Sequence, residues 1–423
     1  MKRWLPHAVL LAVCALAVIA LLAALNLRDE SPIGDARPSA ASAEQVQRGA
    51  YLARAGNCLA CHTIRGGAPY AGGRAIETPF GTVHGSNITP DAKTGIGSWS
   101  ADHFWRAMHN GRSKDGRLLV PAFPYPNFTL ITREDSDALF AYLRTLPAVE
   151  RPNREHALRF PYSTQAALAV WRALYFRPGV YEADRARSGE WNRGAYLVGG
   201  LGHCSACHGG PTVFGPARGS LEMSGGVSPI DKWYAPSLTS RAEASVADWE
   251  TGQIVELLQT GVSARGSALG PMAEVVYRST QFLSDADLRA MAGFLKTLPP
   301  SSAAVQRSAP IGAVDPEILE RGRTLYRKAC EDCHGPRGEG ARGAYPALAG
   351  NRTVVMNPPS NVIRAVLSGG FLPATRGNPR PWGMPPFGHV LDDAEVAAVI
   401  TFIRNEWGNS AGGVSSVEVQ RMR

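Results

Sequence analysis

Three copies of the pattern Cys-x-x-Cys-His stand in this chain of 423 residues and use six of its seven cysteines. Two intervening residues in a helical turn place both sulfur atoms on one side, and the histidine that follows points its imidazole toward the same space. That arrangement attaches a c-type haem through two thioether bonds and supplies the proximal ligand of its iron. The predicted attachment residues are, copy by copy, Cys58, Cys61 and His62; Cys204, Cys207 and His208; and Cys330, Cys333 and His334.

Two other kinds of site use closely spaced cysteine pairs. A structural zinc site needs a second Cys or His pair nearby, but these pairs begin at residues 58, 204 and 330, with no further pair close to any of them. A thioredoxin-like redox motif belongs in a βαβ setting, which the chain lacks. The sequence therefore predicts three covalently bound c-type haems, and three haems in one chain indicate a path for electrons.

The composition argues against several other functions. The formal net charge of +8 overstates that of the haem-bearing protein, because each haem adds propionates. No basic stripe with interleaved aromatic residues accompanies the charge, so we do not predict nucleic-acid binding. Paired carboxylates, a nucleophile constellation and a nucleotide-binding glycine motif are also missing from the sequence. We therefore predict that the chain is not catalytic alone.

The N-terminus carries Lys2 and Arg3 and then an almost uninterrupted apolar run from Ala8 to Leu25. Its length is at the lower edge for a membrane span. A cleaved signal peptide is the alternative, but the residues after the run make a poor cleavage site. We favour a retained anchor and read Cys14, inside the run, as an apolar residue. Either interpretation exports the remainder, which predicts the periplasmic face of a bacterial inner membrane.

The rest of the chain repeats one plan three times. A short helix leads into each motif, a Gly- and Pro-rich loop follows, a middle helix ends at a glycine, and an amphipathic helix closes the copy. The middle helices are predicted to end at Gly111, Gly261 and Gly369, and the closing helices to span Arg133 to Leu146, Ser284 to Leu298 and Asp392 to Trp407, with N-caps Thr132, Ser284 and Asp392.

This plan predicts a mainly α fold of three tandem cytochrome c domains, each a few helices around a covalent haem, after one N-terminal membrane helix. About 100 residues with so many loops bury little core without the haem. The predicted segments are an anchor or signal (1–28), a linker (29–43), domain 1 (44–150), a connecting segment (151–190), domain 2 (191–300), a linker (301–315), domain 3 (316–410) and a tail (411–423). The connecting segment holds a helix candidate, Ser163 to Phe176, read as packing between domains or as a docking or membrane-contact surface.

Two methionines are candidates for the sixth iron ligand. Met384 lies in a proline-rich loop before the last helix, and Met272 follows Gly270 and Pro271 at the corresponding place in the second copy. A thioether in this position raises the haem potential and closes the iron to other ligands.

The first copy departs from this pattern. When the copies are aligned on the glycines that end the middle helices, the segment 120–124 stands where the second copy has Met272, and its candidate side chain is Phe123. Phenylalanine cannot bind iron, so three alternatives stay open: ligation by Met108, which aligns with the core position Leu258; ligation by a histidine; or an iron that is five-coordinate or water-bound. The candidate histidines are His84, His103 and His109. The remaining histidines, His7, His156, His203 and His389, are read as surface or packing residues.

The chain resembles the triheme cytochrome c subunits of bacterial membrane-bound dehydrogenases, a family that serves alcohol, aldehyde, gluconate and fructose dehydrogenases. The resemblance covers about residues 44 to 410. The matching stretches, besides the three motifs, are Gly72-Gly73-Arg74, Thr78-Pro79-Phe80-Gly81, Asn87-Ile88-Thr89-Pro90, Gly95-Ile96-Gly97, residues 191–197, Gly202-His203-Cys204 and residues 270–276.

The resemblance implies a separate catalytic subunit that carries flavin, pyrroloquinoline quinone or a molybdenum cofactor, with or without a small iron–sulfur or accessory subunit. It also implies electron transfer through the haems to membrane ubiquinone or to a terminal oxidase. Family members often carry Pro-Ala-Met-Pro-Tyr where this chain has Pro-Ala-Phe-Pro-Tyr at residues 121–125, so Phe123 replaces the methionine. A phenylalanine in this loop resembles the cytochromes that accompany molybdenum hydroxylases of aldehydes or N-heterocycles, and this resemblance favours such a catalytic partner.

Two further functions remain open. In the first alternative the chain is a freestanding electron carrier. In the second it is a haem enzyme that uses an open first haem for small-molecule redox chemistry. The electron-transfer subunit is the favoured interpretation.

Overall fold

The protein is mainly helical and forms two compact units. The first comprises Met1–Ala53 and Cys61–Glu182, and the second comprises Arg54–Ala60 and Ala183–Arg423. The second and third motifs both lie in the second unit, and the boundaries of three separate domains remain a prediction. The computed structural model describes residues 5–34, 41–210, 221–227, 233–299 and 314–423. The predicted linkers therefore lie partly outside the described residues, at 35–40 and 301–313.

The helices begin and end close to the predicted positions. In the N-terminal half they are α1 (Leu5–Asn26), α2 (Ala43–Ala55), α3 (Cys58–Cys61), α4 (Ala101–Asn110), α5 (Tyr125–Phe128), α6 (Arg133–Arg144), α7 (Gln165–Tyr175), α8 (Gly189–Tyr196) and, after a π-helix at Leu197–Leu201, α9 (Ser205–His208). In the C-terminal half they are α10 (Thr251–Thr260), α11 (Gly270–Arg278), α12 (Asp285–Lys296), α13 (Pro316–Ala329), α14 (Glu331–His334), α15 (Arg352–Val355), α16 (Ser360–Ser368), α17 (Asp393–Asn405) and α18 (Ser416–Gln420), with a 3₁₀ turn at Thr280–Phe282.

The strands are short and mostly form hairpins. The antiparallel sheet β1 (Ala75–Thr78), β2 (Gly81–His84) and β3 (Ala157–Leu158) lies in the first unit. The second unit contains three antiparallel pairs: β4 (Gly226–Val227) with β5 (Tyr234–Ala235), β6 (Val262–Ser263) with β7 (Gly266–Ser267), and β8 (Gly370–Phe371) with β9 (Gly383–Met384).

The closing helices end two residues before their predicted ends, at Arg144, Lys296 and Asn405. The predicted ends of the middle helices are confirmed. Gly111, Gly261 and Gly369 each cap a middle helix with positive φ, at 60°, 83° and 62°, which glycine adopts without a Cβ clash. The predicted N-caps also form. Each side chain accepts a hydrogen bond from a backbone N–H in the first turn of its helix, and the caps are Thr132, Ser284 and Asp392.

The helix before each motif packs against the closing helix of the same copy at a glycine. A Cβ atom added to that glycine would collide with a backbone carbonyl oxygen of the closing helix, so only glycine allows this approach. The pairs are Gly49 with Ala138, Gly194 with Ala290, and Gly322 with Ala398. The repeated sequence plan is thus also a repeated tertiary contact.

The arginine beside each of these glycines makes an ion pair with the start of the closing helix. The pairs are Arg48 with Asp135 at 2.6 Å, Arg193 with Asp287 at 2.8 Å, and Arg321 with Glu395 at 3.8 Å. In the first two pairs the carboxylate is buried and the arginine is partly exposed. Residues that are adjacent in every opening sequence therefore fix the same helix pair in each copy.

Within the second unit, residues from the second and third copies contact each other directly. The Asn361 side chain donates to the Tyr234 carbonyl at 2.7 Å, and its amide oxygen accepts from the Tyr234 N–H at 3.0 Å. Asp248 lies 2.6 Å from Arg265 and 3.3 Å from Arg352. These contacts explain why the second and third copies form one unit.

Candidate haem-binding sites

Each Cys-x-x-Cys-His motif forms a single helical turn. The amide of His208 donates to Cys204 O at 2.8 Å, and that of His334 donates to Cys330 O at 2.9 Å. In the first copy the turn is α3, between Cys58 and Cys61. The six motif cysteines form no disulfide bond and are partly buried.

The chain reaches the three turns by different routes. Cys58 follows Gly49 by nine residues, whereas Cys204 follows Gly194 by ten. The π-helix Leu197–Leu201 occupies this stretch of the second copy, and a π-turn accommodates one extra residue within a helix. The first and second turns are each entered through a residue with positive φ, Asn57 at 49° and His203 at 37°.

The motif histidines share one hydrogen-bonding arrangement. In each, Nδ1 lies against a backbone carbonyl oxygen: His62 with Ser86 at 2.7 Å, His208 with Pro236 at 2.8 Å, and His334 with Pro346 at 3.0 Å. A carbonyl oxygen can only accept, so Nδ1 carries the proton and the lone pair is on Nε2. This second interaction is the one that typically orients a metal-binding histidine.

Burial also keeps these imidazoles neutral. It lowers the pKa of His62, His208 and His334 below the usual histidine value, against the opposing effect of the carbonyl hydrogen bond. Neutral imidazole is the form that binds a metal ion. The three residues therefore have the protonation and orientation that an axial haem ligand requires.

The surroundings of two of these partly buried cysteines disfavour the thiolate form. Burial, with a smaller effect of the neighbouring cysteine, raises the pKa of Cys204 to about 12 and that of Cys330 to about 11. Reactive cysteines, in contrast, have a lowered pKa. Neutral thiols beside an oriented imidazole fit covalent haem attachment.

Met272 and Met384 lie on local structures that are equivalent only in part. Met272 is in the first turn of α11, after Pro271, and its side chain is partly buried. Met384 ends β9, where it pairs with Gly370 just after the middle helix, and its side chain packs against the core of the third copy. Each lies downstream of a glycine-terminated middle helix, as the sequence pattern predicted.

Backbone hydrogen bonds align Phe123 with Met272. The N–H of Leu119 donates to Gly111 O at 2.9 Å, and the N–H of Ala268 donates to Gly261 O at 2.7 Å. Phe123 and Met272 each come four residues after the donor of their copy. The Phe123 ring lies 5.3 Å from the Phe128 ring, so the side chain aligned with Met272 takes part in an aromatic contact.

Met108 is a buried residue of α4, 5% exposed. It lies three residues before the capping Gly111, and the residues at the same distance before Gly261 and Gly369 are Leu258 and Val366, which are also buried. The position is thus occupied by a core side chain in all three copies.

The three candidate histidines of the first copy each use Nδ1 in a local hydrogen bond. His84 Nδ1 lies 2.9 Å from Glu155 O, His103 Nδ1 lies 2.7 Å from the hydroxyl of the N-cap Ser100, and His109 Nδ1 lies 2.9 Å from Thr129 O. His109 is also buried and stacks on Trp105 with the ring centres 4.4 Å apart.

Sequence reasoning missed the carbonyl groups that orient the motif histidines, because a carbonyl has no residue signature. A weak signal is present nonetheless. Each acceptor residue is followed two positions later by Ile or Leu, and the segments are Ser86-Asn87-Ile88, Pro236-Ser237-Leu238 and Pro346-Ala347-Leu348. His203, read as a surface or packing residue, is partly buried in the second unit, with Nε2 3.3 Å from Gly56 O.

Comparison with known proteins gives consistent matches. The cytochrome c family model matches residues 46–147 and 319–407. The chain is 38% identical to an alcohol dehydrogenase (quinone) cytochrome c subunit of Gluconobacter oxydans, over 95% of this chain and 87% of that protein. It is 36% identical to a gluconate 2-dehydrogenase cytochrome c subunit of Pantoea cypripedii, over 89% of each. It is also 40% identical to a nicotinate dehydrogenase subunit of Pseudomonas putida, over 86% of this chain but 30% of that longer protein.

Proposed function

The chain belongs to the family of cytochrome c subunits of bacterial membrane-bound dehydrogenases, and on that premise we propose that it carries electrons from a catalytic dehydrogenase subunit to the respiratory chain. It is an electron-transfer subunit and does not itself oxidise the substrate. The final acceptor in this proposal is membrane ubiquinone or a terminal oxidase.

We propose that three haems are attached, at Cys58 and Cys61, at Cys204 and Cys207, and at Cys330 and Cys333. The observation that carries this proposal is the Nδ1-to-carbonyl hydrogen bond of all three motif histidines. It leaves His62, His208 and His334 each with a free Nε2 for iron. A bound c-type haem supplies a one-electron redox centre. The cysteines hold it covalently, and the carbonyls hold the imidazoles in one orientation.

Met272 and Met384 are our proposed sixth ligands for the second and third haems. The support for Met272 is its position in a proline-stiffened first helical turn, and the support for Met384 is its position at the end of a strand. For the first haem the proposal keeps Met108, a histidine (His84, His103 or His109) and an open iron as alternatives. To bind the iron, Met108 would have to leave its buried core position. A histidine would have to keep or give up its local Nδ1 hydrogen bond.

We also propose that α1 is retained as a membrane anchor and that the haem-bearing part faces the periplasm. Residues Val9–Asn26 form a helix that is long and apolar enough to span a membrane. The buried hydrogen bonds of Asn26 with α7 support retention, because cleavage would remove a polar partner of the folded unit.

For the catalytic partner we favour a molybdenum hydroxylase of an aldehyde or N-heterocycle over enzymes that use flavin or pyrroloquinoline quinone. Phe123 in the place of a methionine supports this choice, and so does the similarity to a nicotinate dehydrogenase subunit. The chain is similarly identical to alcohol and gluconate dehydrogenase subunits, and these relatives favour an alcohol or a sugar acid as the substrate class instead.

The first experiment is purification of the chain from its native membrane in mild detergent, with mass spectrometry and metal analysis of the proteins that accompany it. We expect a stoichiometric large subunit bearing molybdenum, and reduction of the haems when its substrate is added. A subunit with flavin or pyrroloquinoline quinone would keep the complex but replace the molybdenum choice. Recovery of the cytochrome alone, with no dehydrogenase able to reduce it, would favour a freestanding carrier.

Haem number is tested on the same preparation. Intact mass is compared between the native chain and the paired variants C58A/C61A, C204A/C207A and C330A/C333A. We expect three haems in the native chain and the loss of one in each paired variant that folds. A native chain with fewer than three would contradict the proposal, and the unaltered peptides of each variant serve as internal controls.

An enzyme acting at the first haem is a second candidate, and the alignment of Phe123 with Met272 is the observation that favours it. Such an enzyme binds small ligands at an open iron. If this candidate is right, absorption spectra of the reduced protein will show that the first haem binds carbon monoxide. Spectra that show three low-spin haems, none of which binds carbon monoxide, would exclude an enzyme acting at the first haem.

A further inference from the structure

Among the described side chains of α1, the partly or fully buried ones lie at its C-terminal end and are Leu22, Leu25 and Asn26. Asn26, which ends the helix, is buried. Its side-chain N–H donates to Ala169 O of α7 at 3.0 Å, and its amide oxygen accepts from Nε of Arg172, also on α7, at 2.9 Å. In contrast, Leu16 in the middle of α1 is 66% exposed. The apolar helix therefore leaves the folded unit directly beside α7.

The residues just after α1 strengthen this attachment. Glu30 lies 3.5 Å from Arg106 and 3.0 Å from Arg112, and all three side chains are largely buried. Arg112 also donates to Asn26 O at 3.2 Å. Because partly buried ion pairs are screened less than exposed ones, these contacts strengthen the attachment of the base of α1 to the first unit.

An apolar stripe runs along the exposed side of α7. Ala166, Val170 and Leu174 recur every four residues, which places them on one helix face. All three are exposed, Leu174 by 69%. Just before the helix, Phe160 and Tyr162 are exposed as well. Surface helices normally carry polar residues on this side, and a contiguous exposed apolar face marks an interaction site.

The position of α1 identifies what covers the stripe. The 18 residues Val9–Asn26 span about 27 Å at the α-helical rise, close to the hydrocarbon thickness of about 30 Å. A bilayer that contains this span ends near Asn26, and α7 contacts Asn26. The exposed cations Arg28 and Arg177 lie just after α1 and α7, where they suit lipid phosphates.

We propose that the stripe formed by Ala166, Val170 and Leu174, with Phe160 and Tyr162, lies in the interfacial region of the phospholipid bilayer that α1 spans. This inference rests on the proposed retention of α1. In this proposal α7 is a second membrane contact, which resembles that of an interfacial amphipathic helix. The first unit is then held at the membrane surface and does not swing on a tether.

Nitroxide labels on the full-length haem-bearing chain in phospholipid nanodiscs test the proposal. Cys14 is first replaced (Cys14→Ser), and single cysteines are introduced by Leu174→Cys, Val170→Cys, Leu16→Cys and Lys93→Cys. Leu16 on α1 is the lipid control, and Lys93, whose side chain is 77% exposed, is the water control. The measurement is the ratio of collisions with oxygen, which concentrates in lipid, to collisions with a water-soluble nickel chelate.

We expect the ratio at positions 170 and 174 to exceed that at 93 severalfold and to approach that at 16. A water-like ratio at 170 and 174, with a lipid-like ratio at 16, would overturn the proposal and leave the anchor intact. Exclusion of both reagents at 170 and 174 would overturn it in favour of a protein partner. A water-like ratio at 16 would overturn the retained anchor and this inference together.

Discussion

Nε of Arg172 lies 2.9 Å from the side-chain oxygen of Asn26, so a buried guanidinium on α7 joins the end of the apolar N-terminal helix to the folded first unit. The same guanidinium donates to Asn110 O and lies over the rings of Tyr125 and Phe176, 5.4 Å and 4.8 Å from their centres. Burial lowers its pKa, and the neighbouring Tyr125 opposes this. The Arg172 side chain thus joins the end of α1 to α7 and to the end of α4.

We predict that Arg172→Met destabilises the first unit by about 2–4 kcal/mol, because it leaves Asn26 Oδ1 and Asn110 O without this donor while burial persists. Hydrogen exchange of α7 and of the last turn of α1 measures the effect. The control is Arg177→Met at an exposed position two residues after α7. Equal protection in both variants would show that Arg172 does not hold the anchor.

We predict that Gly194→Ala weakens the contact between α8 and α12, since the new Cβ would meet Ala290 O and the Phe294 side chain. A loss of about 2 kcal/mol or more follows from overpacking at a backbone contact. Gly293→Ala is the matched control, because nothing lies within 4 Å of a Cβ at this position of α12, and alanine stabilises a helix by about 1 kcal/mol relative to glycine. Thermal unfolding that ranks the two variants in the reverse order would contradict the helix packing described above.

Arg404 is predicted to be essential to the third copy. Its buried guanidinium donates to Val354 O at 2.7 Å, to Met356 O at 2.8 Å and to Asn357 Oδ1 at 2.6 Å, and burial lowers its pKa to about 10. Arg404→Met leaves these acceptors unpaired and is expected to cost about 3 kcal/mol. Denaturant unfolding checks this against Arg289→Met, which breaks a solvent-exposed ion pair with Asp285 and should leave stability unchanged.

The alignment of Phe123 with Met272 leads to a prediction about the first haem. Phe123→Met is expected to supply a thioether, convert this haem to a low-spin His/Met form and raise its potential. Absorption spectra and a redox titration measure both changes, with Phe123→Leu as the control for loss of the ring contact with Phe128. An unchanged potential in Phe123→Met would mean that another residue already occupies the sixth position.

The local features of the structure could be predicted from the sequence. The motif turns, the glycine ends of the middle helices and the caps Thr132, Ser284 and Asp392 all depend on residues within one or two helical turns, and all are present. The closing helix predicted from Arg133 to Leu146 ends at Arg144, a difference of two residues. The helix of the connecting segment was predicted from Ser163 to Phe176 and spans Gln165–Tyr175.

The sequence by itself determined three haem motifs, one repeated helix plan and an apolar N-terminal helix, because each is written in neighbouring residues. Only the tertiary structure decided that His62, His208 and His334 are oriented by carbonyl oxygens, which no residue type encodes. It also decided that Asn26 meets Arg172 across 146 positions of sequence. The free energy of such contacts comes from burying polar groups together, and that burial exists only after distant segments have packed.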